Sequence, residues 1–576
     1  MVYCRFDYKM IFHVVLLLAL CGALYFPYLD STPFLNKGEP REALAVQDIV
    51  KRGEWLFPLK RGELIPSKPP LFHWSAALTS RITGTLNEAT VRFPSALYAT
   101  FGVLLVYSLA RKLLNGEVGL LAGTILATTL VYQHQALDAR VDMTLCFYVS
   151  LSLILFFAIY RGFLRNPLWL YAFYTVSGIG ILAKGPLGIL LPALVIGAFL
   201  ALHNRWDWLI KLSFHPGLIL TLLIGAGWYG LALVRGGEEF YERQILQENL
   251  ARFIGGSGHT KPPYYYVSYL FTQGLPWSIF LPFLAWASLK KRALSENRLS
   301  FFIVWFLVMF VFFSLSSGKR PVYLLPLYPA LSVLIAAWFY DDDPTVQLPS
   351  IVYRLLAVLA GVIGFVPLLI AGGAAWEYDP AWFFPFIEGL LKLKDRANLA
   401  LVQNSLATEG VAFTISALLS AVLWFYLARR LWADRLRSAP LVLVMLSLVM
   451  TYVGQSIVLP AIAEDKSYRS FMEMVNQRLR AGDELYLYGE DFNSDSVVFY
   501  HGKPIPMLRQ SPEVIAAQSG VTHRYIIMSK QTWSEIQNDH CKPSAARMES
   551  KSRGPEGDAP LVLVEARSCL KFPGKD

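Results

Sequence analysis

Charge is what this chain has least of. Only 16% of its residues are charged and 55% are hydrophobic, a balance too apolar for a soluble enzyme. The soluble stretches lack a clustered basic–aromatic stripe, so the net charge of +10 requires no nucleic-acid partner. The C-terminal stretch lacks a nucleotide-binding glycine motif. The chain also lacks the internal repeat common in secondary transporters, and it has little charge in the middle of its apolar runs. Cysteine is scarce, with five in 576 residues. Cys4 precedes the first apolar run, Cys21 and Cys146 fall within such runs, and Cys541 and Cys569 lie in the C-terminal stretch. An exported compartment would permit a bond between the last two, but spacing leaves the pairing open.

What the chain has instead is long apolar runs. A spanning helix needs roughly 20 mostly apolar residues, and in lipid only helices or closed barrels satisfy their own backbone. The runs are continuous, not alternating, and so predict helices. About 13 spans are expected, at 10–28, 90–112, 117–134, 143–161, 168–183, 186–203, 212–234, 275–289, 299–316, 321–340, 353–374, 411–429 and 439–460. The first could be mistaken for a cleaved signal, but Phe26-Pro27-Tyr28-Leu29-Asp30 is a poor small-residue cleavage site. With the N-terminus inside, the cytoplasmic loops carry Arg111 and Lys112, Arg161 and Arg165, Arg205 and Lys211, Lys290, Lys291, Arg292 and Arg298, and Arg429, Arg430, Arg435 and Arg437. That bias sets the orientation and places loops 29–89, 235–274 and 375–410 outside, together with the tail from about residue 461.

The tail changes texture. Helices are expected over Ser467–Leu479 and near 512–519 and 531–538. Strands are expected over Glu484–Tyr488, Ser496–Tyr500, Arg524–Met528 and Pro560–Glu565, with Ser544–Asp558 as a loop. The fold class is therefore an all-α polytopic membrane protein with a small C-terminal α/β domain, divided as 1–460 and 461–576.

The outer loops hold the reactive groups. The first reads Asn36-Lys37-Gly38-Glu39-Pro40-Arg41-Glu42-Ala43 and continues as an amphipathic stretch to Val50. Trp55, Phe57 and then Ser67-Lys68-Pro69-Pro70-Leu71-Phe72-His73-Trp74 follow. The apolar face suits juxtamembrane helices lying in the interface. Further along come Arg92-Phe93-Pro94-Ser95-Ala96, Asp138-Ala139-Arg140-Val141-Asp142 and Ala183-Lys184-Gly185-Pro186. Glu248-Asn249-Leu250-Ala251-Arg252-Phe253 leads to His259, Pro262-Pro263-Tyr264-Tyr265-Tyr266 and Leu275-Pro276-Trp277. The series closes with Gly318-Lys319-Arg320-Pro321-Val322-Tyr323.

In this order the motifs resemble the polyprenyl-phosphate-sugar-dependent glycosyltransferases of the C-type fold. That superfamily includes protein O-mannosyltransferases and lipid A aminoarabinose transferases, and the resemblance covers about residues 10–335. It implies a multi-pass protein of the bacterial inner (plasma) membrane. Such a protein moves a sugar from a polyprenyl (undecaprenyl) phosphate donor to a lipid, such as lipid A, or to a protein acceptor, with inversion. Gly38 stands where the family has Asp before Glu, Ser67 where the aminoarabinose transferases have Glu before Lys-Pro, and Asn249 where the family has His. Those departures weaken the case for a bound zinc and for aminoarabinose, and leave a divalent metal open.

The residues can be read directly for that chemistry. A departing polyprenyl phosphate needs cations, and Lys68, Lys184, Lys319 and Arg320 stand at outer helix ends, with Tyr323 placed to close over the phosphate. Snorkelling to the interface is the plainer alternative for the cations, and aromatic-girdle placement for Tyr323. A hydroxyl acceptor needs a carboxylate to take its proton, and Glu39 and Asp142 are the candidates, with Asp138 behind them. Asp142 could instead cap its helix, and Glu39 could be a loop acid paired with Arg41. Arg140 could pair with Asp138 or Asp142, and His259 could serve as a ligand or an acid–base group. A transporter or flippase and a lipid-polymer ligase are the competing classes, but neither explains the ordered acidic loop, Lys-Pro and Gly-Lys series. The topology has a direct test: a reporter joined after Asp576 should be active only when exported, and cytoplasmic activity would overturn the orientation.

Overall fold

The computed structural model describes residues 7–61, 65, 68–251, 261–290, 298–341, 343, 348–375, 396, 401, 410–433, 436–508, 523–537, 548–554 and 560–565. In chain order its helices begin with α1 (Tyr8–Leu24), α2 (Gly38–Arg52), α3 (Leu71–Thr83), α4 (Glu88–Leu113), α5 (Gly116–Thr128), α6 (Leu130–Ala136), α7 (Val141–Tyr160) and α8 (Leu168–Lys184). They continue with α9 (Leu187–Leu202), α10 (Trp206–Ser213), α11 (Leu218–Phe240), α12 (Tyr265–Gln273), α13 (Leu281–Lys290), α14 (Ser300–Leu315) and α15 (Tyr328–Phe339). The last helices before the C-terminal sheet are α16 (Ser350–Ala375), α17 (Gly410–Trp432), α18 (Ala439–Tyr452), α19 (Leu459–Lys466) and α20 (Arg469–Arg478).

Among the described residues, eight helical segments are long and apolar enough to cross a membrane, and four shorter apolar helices accompany them. The eight fall on eight of the thirteen expected spans, and the four shorter helices occupy four more of those runs without the length counted as a crossing. The remaining one, at 275–289, is a 3-10 turn at Trp277–Phe280 followed by the ten residues of α13. The expected run 117–134 is broken at Thr129, whose extended backbone ends α5, and Leu130 N–H donates to the Leu275 carbonyl instead of continuing the helix. The bundle interior is apolar and aromatic. Phe157 stacks on Phe301 at 4.2 Å, and the two most buried indoles satisfy their N–H groups on Thr128 and on the Pro326 carbonyl.

After α20 come β1 (Glu484–Leu487), α21 (Ser494–His501), β2 (Arg524–Ser529), α22 (Lys530–Gln537), β3 (Met548–Glu549) and β4 (Leu561–Glu565). The four strands form one sheet in the order β1-β2-β4-β3, with β1 parallel to β2 and the other pairs antiparallel. Two expectations are corrected here. Ser496–Tyr500, apolar and partly β-branched, is helical: Asp495 lies in its first turn, Gly502 ends it in the left-handed conformation at φ 81°, and packing against α2 and α20 overrides local propensity. The expected loop Ser544–Asp558 contains β3, which pairs with β4. The expected helix near 512–519, Cys541, Cys569 and nearly all of loop 375–410 lie outside the described residues.

The amphipathic helix α2 departs from expectation too. Its residues are buried on nearly every side from Glu39 to Ile49, so it does not lie along a lipid surface. Its apolar side joins Phe72, Ala76 and Val91 of the bundle and Phe471, Val475 and Phe499 of the C-terminal unit in one hydrophobic core. Polar ties reinforce that core. The Tyr500 hydroxyl donates to Glu88 Oε1 at 2.8 Å and accepts from the Phe34 N–H at 3.0 Å, and Arg469 pairs with Glu88 at 3.5 Å. Tyr500→Phe would strand the Phe34 N–H and leave Glu88 with Arg469 but without its short hydroxyl donor. It should cost about 1–3 kcal/mol of stability, read as a lower thermal midpoint in detergent; an unchanged midpoint would show that the unit is only loosely attached.

Candidate active site

One end of the bundle collects the reactive groups. Asn36 sets up the start of α2: its Oδ1 accepts from the N–H groups of Gly38 (2.8 Å) and Glu39 (3.0 Å), two donors that no helical carbonyl can satisfy. Its amide then donates to Glu39 Oε2 and to Asp138 Oδ1, both at 3.2 Å. Glu39 is buried and fully engaged. Oε1 accepts from Arg92 Nε (2.7 Å) and the Ala139 N–H (3.1 Å), and Oε2 from Arg92 (3.1 Å) as well as Asn36. Arg92 spends its remaining donors on the carbonyls of Leu29, Thr32 and Pro33. Glu39 therefore does not pair with Arg41, whose guanidinium binds Glu42 Oε1 at 2.7 Å.

Asp142 has different company. It lies inside the first turn of α7, which it does not cap; Arg140 occupies the cap position and makes no side-chain capping bond. Its Oδ1 accepts from Lys184 at 2.5 Å, and Oδ2 lies 3.7 Å from Arg140 Nε. Lys184 also stands 4.7 Å over the Tyr323 ring. Lys68, Arg41, Glu42, Arg140, Asp142, Lys184, Arg320 and Tyr323 line one tight pocket of about 20 Å³. Five cationic side chains there face two carboxylates. Lys68 and Arg320 thus face inward with the others and do not stand alone at a lipid boundary.

Arg140, Arg320 and Val322 are shared with a second, larger cavity of about 670 Å³. Glu39, Asp138, Asn36, His134, Gln135 and Gln273 supply its polar wall. Burial and the neighbouring Glu39 push the Asp138 carboxyl up to about 6, although Arg140, His134 and the Asn36 amide work against the rise. Gly38 lies against Arg140, which lines both chambers. A Cβ there would stand 3.0 Å from both the Arg140 guanidinium carbon and Asn36 Oδ1, so the bare glycine is what admits Arg140 to this place.

The structure thus brings together Lys68, Lys184, Arg320, Tyr323, Arg41, Arg140 and Asp142, with Glu39 and Asp138 across a shared wall. Lys319 does not join them: its ammonium donates to the Ser316 carbonyl, and it lines neither chamber. His259 lies outside the described residues, as does Ser67, and nothing is described of the Asn249 side chain. Sequence reasoning missed Glu42, His73, Asn36 and the clamp role of Arg92. Glu42 follows Glu39 by three residues, the spacing that puts two side chains on one helix face, and that signal was available. Burial alone would raise the Glu42 carboxyl, but Arg41 and His73, 2.9 Å from Oε2, hold it well below the usual carboxylate range. Among the described residues no three His, Cys, Asp or Glu side chains converge as metal ligands.

Asp138 yields a pH test. Its folded-state value stands above the ordinary 3.8, so its contribution to stability is complete below about pH 4 and is lost as pH rises through about 6. Relative to the wild type, Asp138→Asn should flatten the fall of the thermal midpoint across that window; an identical slope would remove Asp138 as its source.

Residues 67–229 match the family model described as dolichyl-phosphate-mannose-protein mannosyltransferase. An uncharacterized protein of Aquifex aeolicus is 31% identical over 330 residues, 56% of this chain and 72% of that one. The undecaprenyl phosphate-alpha-4-amino-4-deoxy-L-arabinose arabinosyl transferase 2 of Pseudomonas fluorescens is 30% identical over 62% of this chain. The chain spans 61% of the length of that transferase. The crystal structure of ArnT from Cupriavidus metallidurans bound to undecaprenyl phosphate superposes with a TM-score of 0.75 at 21% identity, covering 97% of this chain and 99% of that one. At that identity the likeness establishes the fold, that of a multi-pass membrane protein.

Proposed function

The chain belongs to the superfamily of polyprenyl-phosphate-sugar-dependent glycosyltransferases with the C-type fold, and from that membership we propose that its paired chambers transfer a sugar from a polyprenyl (undecaprenyl) phosphate donor to a lipid or protein acceptor on the extracytoplasmic face. The observation that carries the reading is the excess of cations around Asp142. Lys68, Lys184, Arg320, Arg41 and Arg140 form the phosphate cradle, with Tyr323 beside it; Lys319 shapes the loop behind them. The orientation is supported by the Lys/Arg bias of the short loops at the other end of the bundle. Residues from about 461 onward form the extracytoplasmic domain, resting on the bundle 1–460.

The closed pocket suggests an order of events. It has room for about one water, so a phosphate enters only as the Lys184–Asp142 pair parts. Lys184 then follows the stronger negative charge, and Asp142 is released beside the reacting carbon. An acceptor hydroxyl oxygen attacks the anomeric carbon on the face opposite the phosphate, giving inversion. The bond from the anomeric carbon to the phosphate oxygen breaks, polyprenyl phosphate leaves with the electron pair, and the hydroxyl proton passes to Asp142. Glu39, with every acceptor site used, acts as a positioning carboxylate that fixes α2 and the turn before Arg140. Asp138 and Arg140 line the chamber on the acceptor side.

A purified transfer assay with a polyprenyl-phosphate sugar tests this. Asp142→Asn should lower kcat by about 10²–10⁴-fold, while the variant still binds polyprenyl phosphate. Lys184→Met should raise the donor KM. Full transfer by Asp142→Asn would overturn the proton-acceptor role and direct attention to an acceptor that is already an anion.

A further inference from the structure

Two buried side-chain oxygens in the wall of the larger chamber are satisfied by no protein group. Gln135, in the last turn of α6, is only 5% exposed, and its Oε1 has no hydrogen-bond partner among the described residues. Its other atom fixes which way the amide faces. Nε2 donates to Asp138 Oδ2 (3.3 Å) and to His134 Nδ1 (3.1 Å), so turning the amide over would set its oxygen against a carboxylate. Gln273, the last residue of α12, is the second: its Oε1 is also buried and without a partner among the described residues. The break at Thr129 brings it here. The Leu130 N–H donates to the Leu275 carbonyl and the Trp277 indole donates to the Thr128 hydroxyl, both at 2.9 Å, which pins the turn after α12 to the junction of α5 and α6. Both glutamines line the same cavity.

A buried acceptor without a donor is costly, and a ligand that supplies the donor removes the cost. The surroundings choose among ligands. Asp138 adds carboxylate oxygens beside Gln135, and every Arg92 donor is already taken by Glu39 and three carbonyls, so away from the boundary with the phosphate cradle this wall suits a donor better than an anion. With His134 Nδ1 accepting the Gln135 amide, the neutral imidazole carries its proton on Nε2. A hydroxyl, which both donates and accepts, meets both kinds of group. Leu130, Val131, Leu459 and Tyr28 give the cavity an apolar lining as well, which suits the C–H faces of a sugar, and its 670 Å³ is ample for a ring. We propose that Gln135 and Gln273 are specificity-determining residues that hold a carbohydrate ring in the larger chamber, with the hydroxyl groups of the ring donating to the two side-chain oxygens. The ring belongs to the acceptor or to the sugar of the donor. Its assignment to a glycosyl-transfer substrate rests on the functional reading above, whereas its binding does not.

The test uses the full-length protein in a detergent without a sugar headgroup. The probes are the methyl glycosides of glucose, galactose, mannose and N-acetylglucosamine, with binding read by saturation-transfer NMR. At least one should bind the wild type with a Kd on the order of millimolar. Gln273→Met keeps the length of the side chain but removes the acceptor; it should weaken that binding about tenfold with an unchanged thermal midpoint. Gln273→Glu, which keeps an acceptor oxygen, should retain it. Gln135→Leu should weaken it about as much, and Gln273→Met decides the matter if that variant does not fold. Polyprenyl phosphate with and without its sugar then identifies the source. If Gln273→Met weakens only the sugar-bearing form, the ring is the donor's; if both forms bind as they do to the wild type while glycoside binding falls, it is the acceptor's. Either result upholds the proposal. Failure of every glycoside to bind the wild type, undiminished binding to Gln273→Met, or displacement of the glycoside by an equal concentration of inorganic phosphate would overturn it. A wild type that binds a glycoside but not polyprenyl phosphate would overturn the donor reading and leave this inference standing.

Discussion

The buried guanidinium of Arg92 is the constraint on which the site depends. Its donors are divided between Glu39 and three carbonyls of the first loop, those of Leu29, Thr32 and Pro33. Glu39 in turn receives the Ala139 N–H, so one ion pair joins α4, the start of α2 and the turn that carries Asp138 and Arg140. Buried charges are tolerated only when paired and hydrogen-bonded, and removing one partner of such a pair typically costs about 3–5 kcal/mol. The pair is therefore weak evidence of stability in itself, and its effect is to tie the first loop, α2 and α4 into one arrangement.

That arrangement determines what the neighbouring groups are free to do. Glu39 is occupied by the scaffold, and Gly38 leaves its space to Arg140. A second carboxylate stands one turn later at Glu42, held between Arg41 and His73. The pocket remains rich in cations, and Asp142 is the carboxylate in it that meets a lysine able to leave for a stronger anion. In the proposed reaction the energetic logic is exchange: the lysine given up by Asp142 would be gained by the phosphate, which would couple donor binding to exposure of the proposed proton acceptor.

Much of this was legible in the sequence because it is local or periodic. Continuous apolar runs gave the spans, and the ordered motifs gave the outer cluster of Lys68, Asp142, Lys184 and Arg320. What was hidden depended on partners distant in the chain. Nothing near Glu39 announces that Arg92, 53 residues on, will use it up. Val497 and Val498 favour a strand by composition, yet tertiary packing makes them helical. The expected run 117–134 failed at Thr129 because Leu130 finds its carbonyl on Leu275, a contact no window of sequence contains. Lys319 was grouped with its neighbour Arg320 on the same motif, but adjacent residues point in different directions and only Arg320 faces the chambers.

The misreading of α2 has a more general cause. An amphipathic helix beside a membrane has two ways to cover its apolar side, lipid or protein, and its own sequence does not distinguish them. Here the cover arrives more than 400 residues later as Phe471, Val475 and Phe499, and the core formed is shared by bundle and C-terminal unit. Polar ties at Tyr500–Glu88 and Asp495–Arg61 then fix the angle at which that core closes. A unit joined this way resists the hinge motion expected of an appended binding arm, since opening would expose apolar surface and strand several buried polar groups at once. Its physical effect is to hold α2 and the loop after it against the bundle, and through Glu39 and Glu42 that means against the chambers themselves.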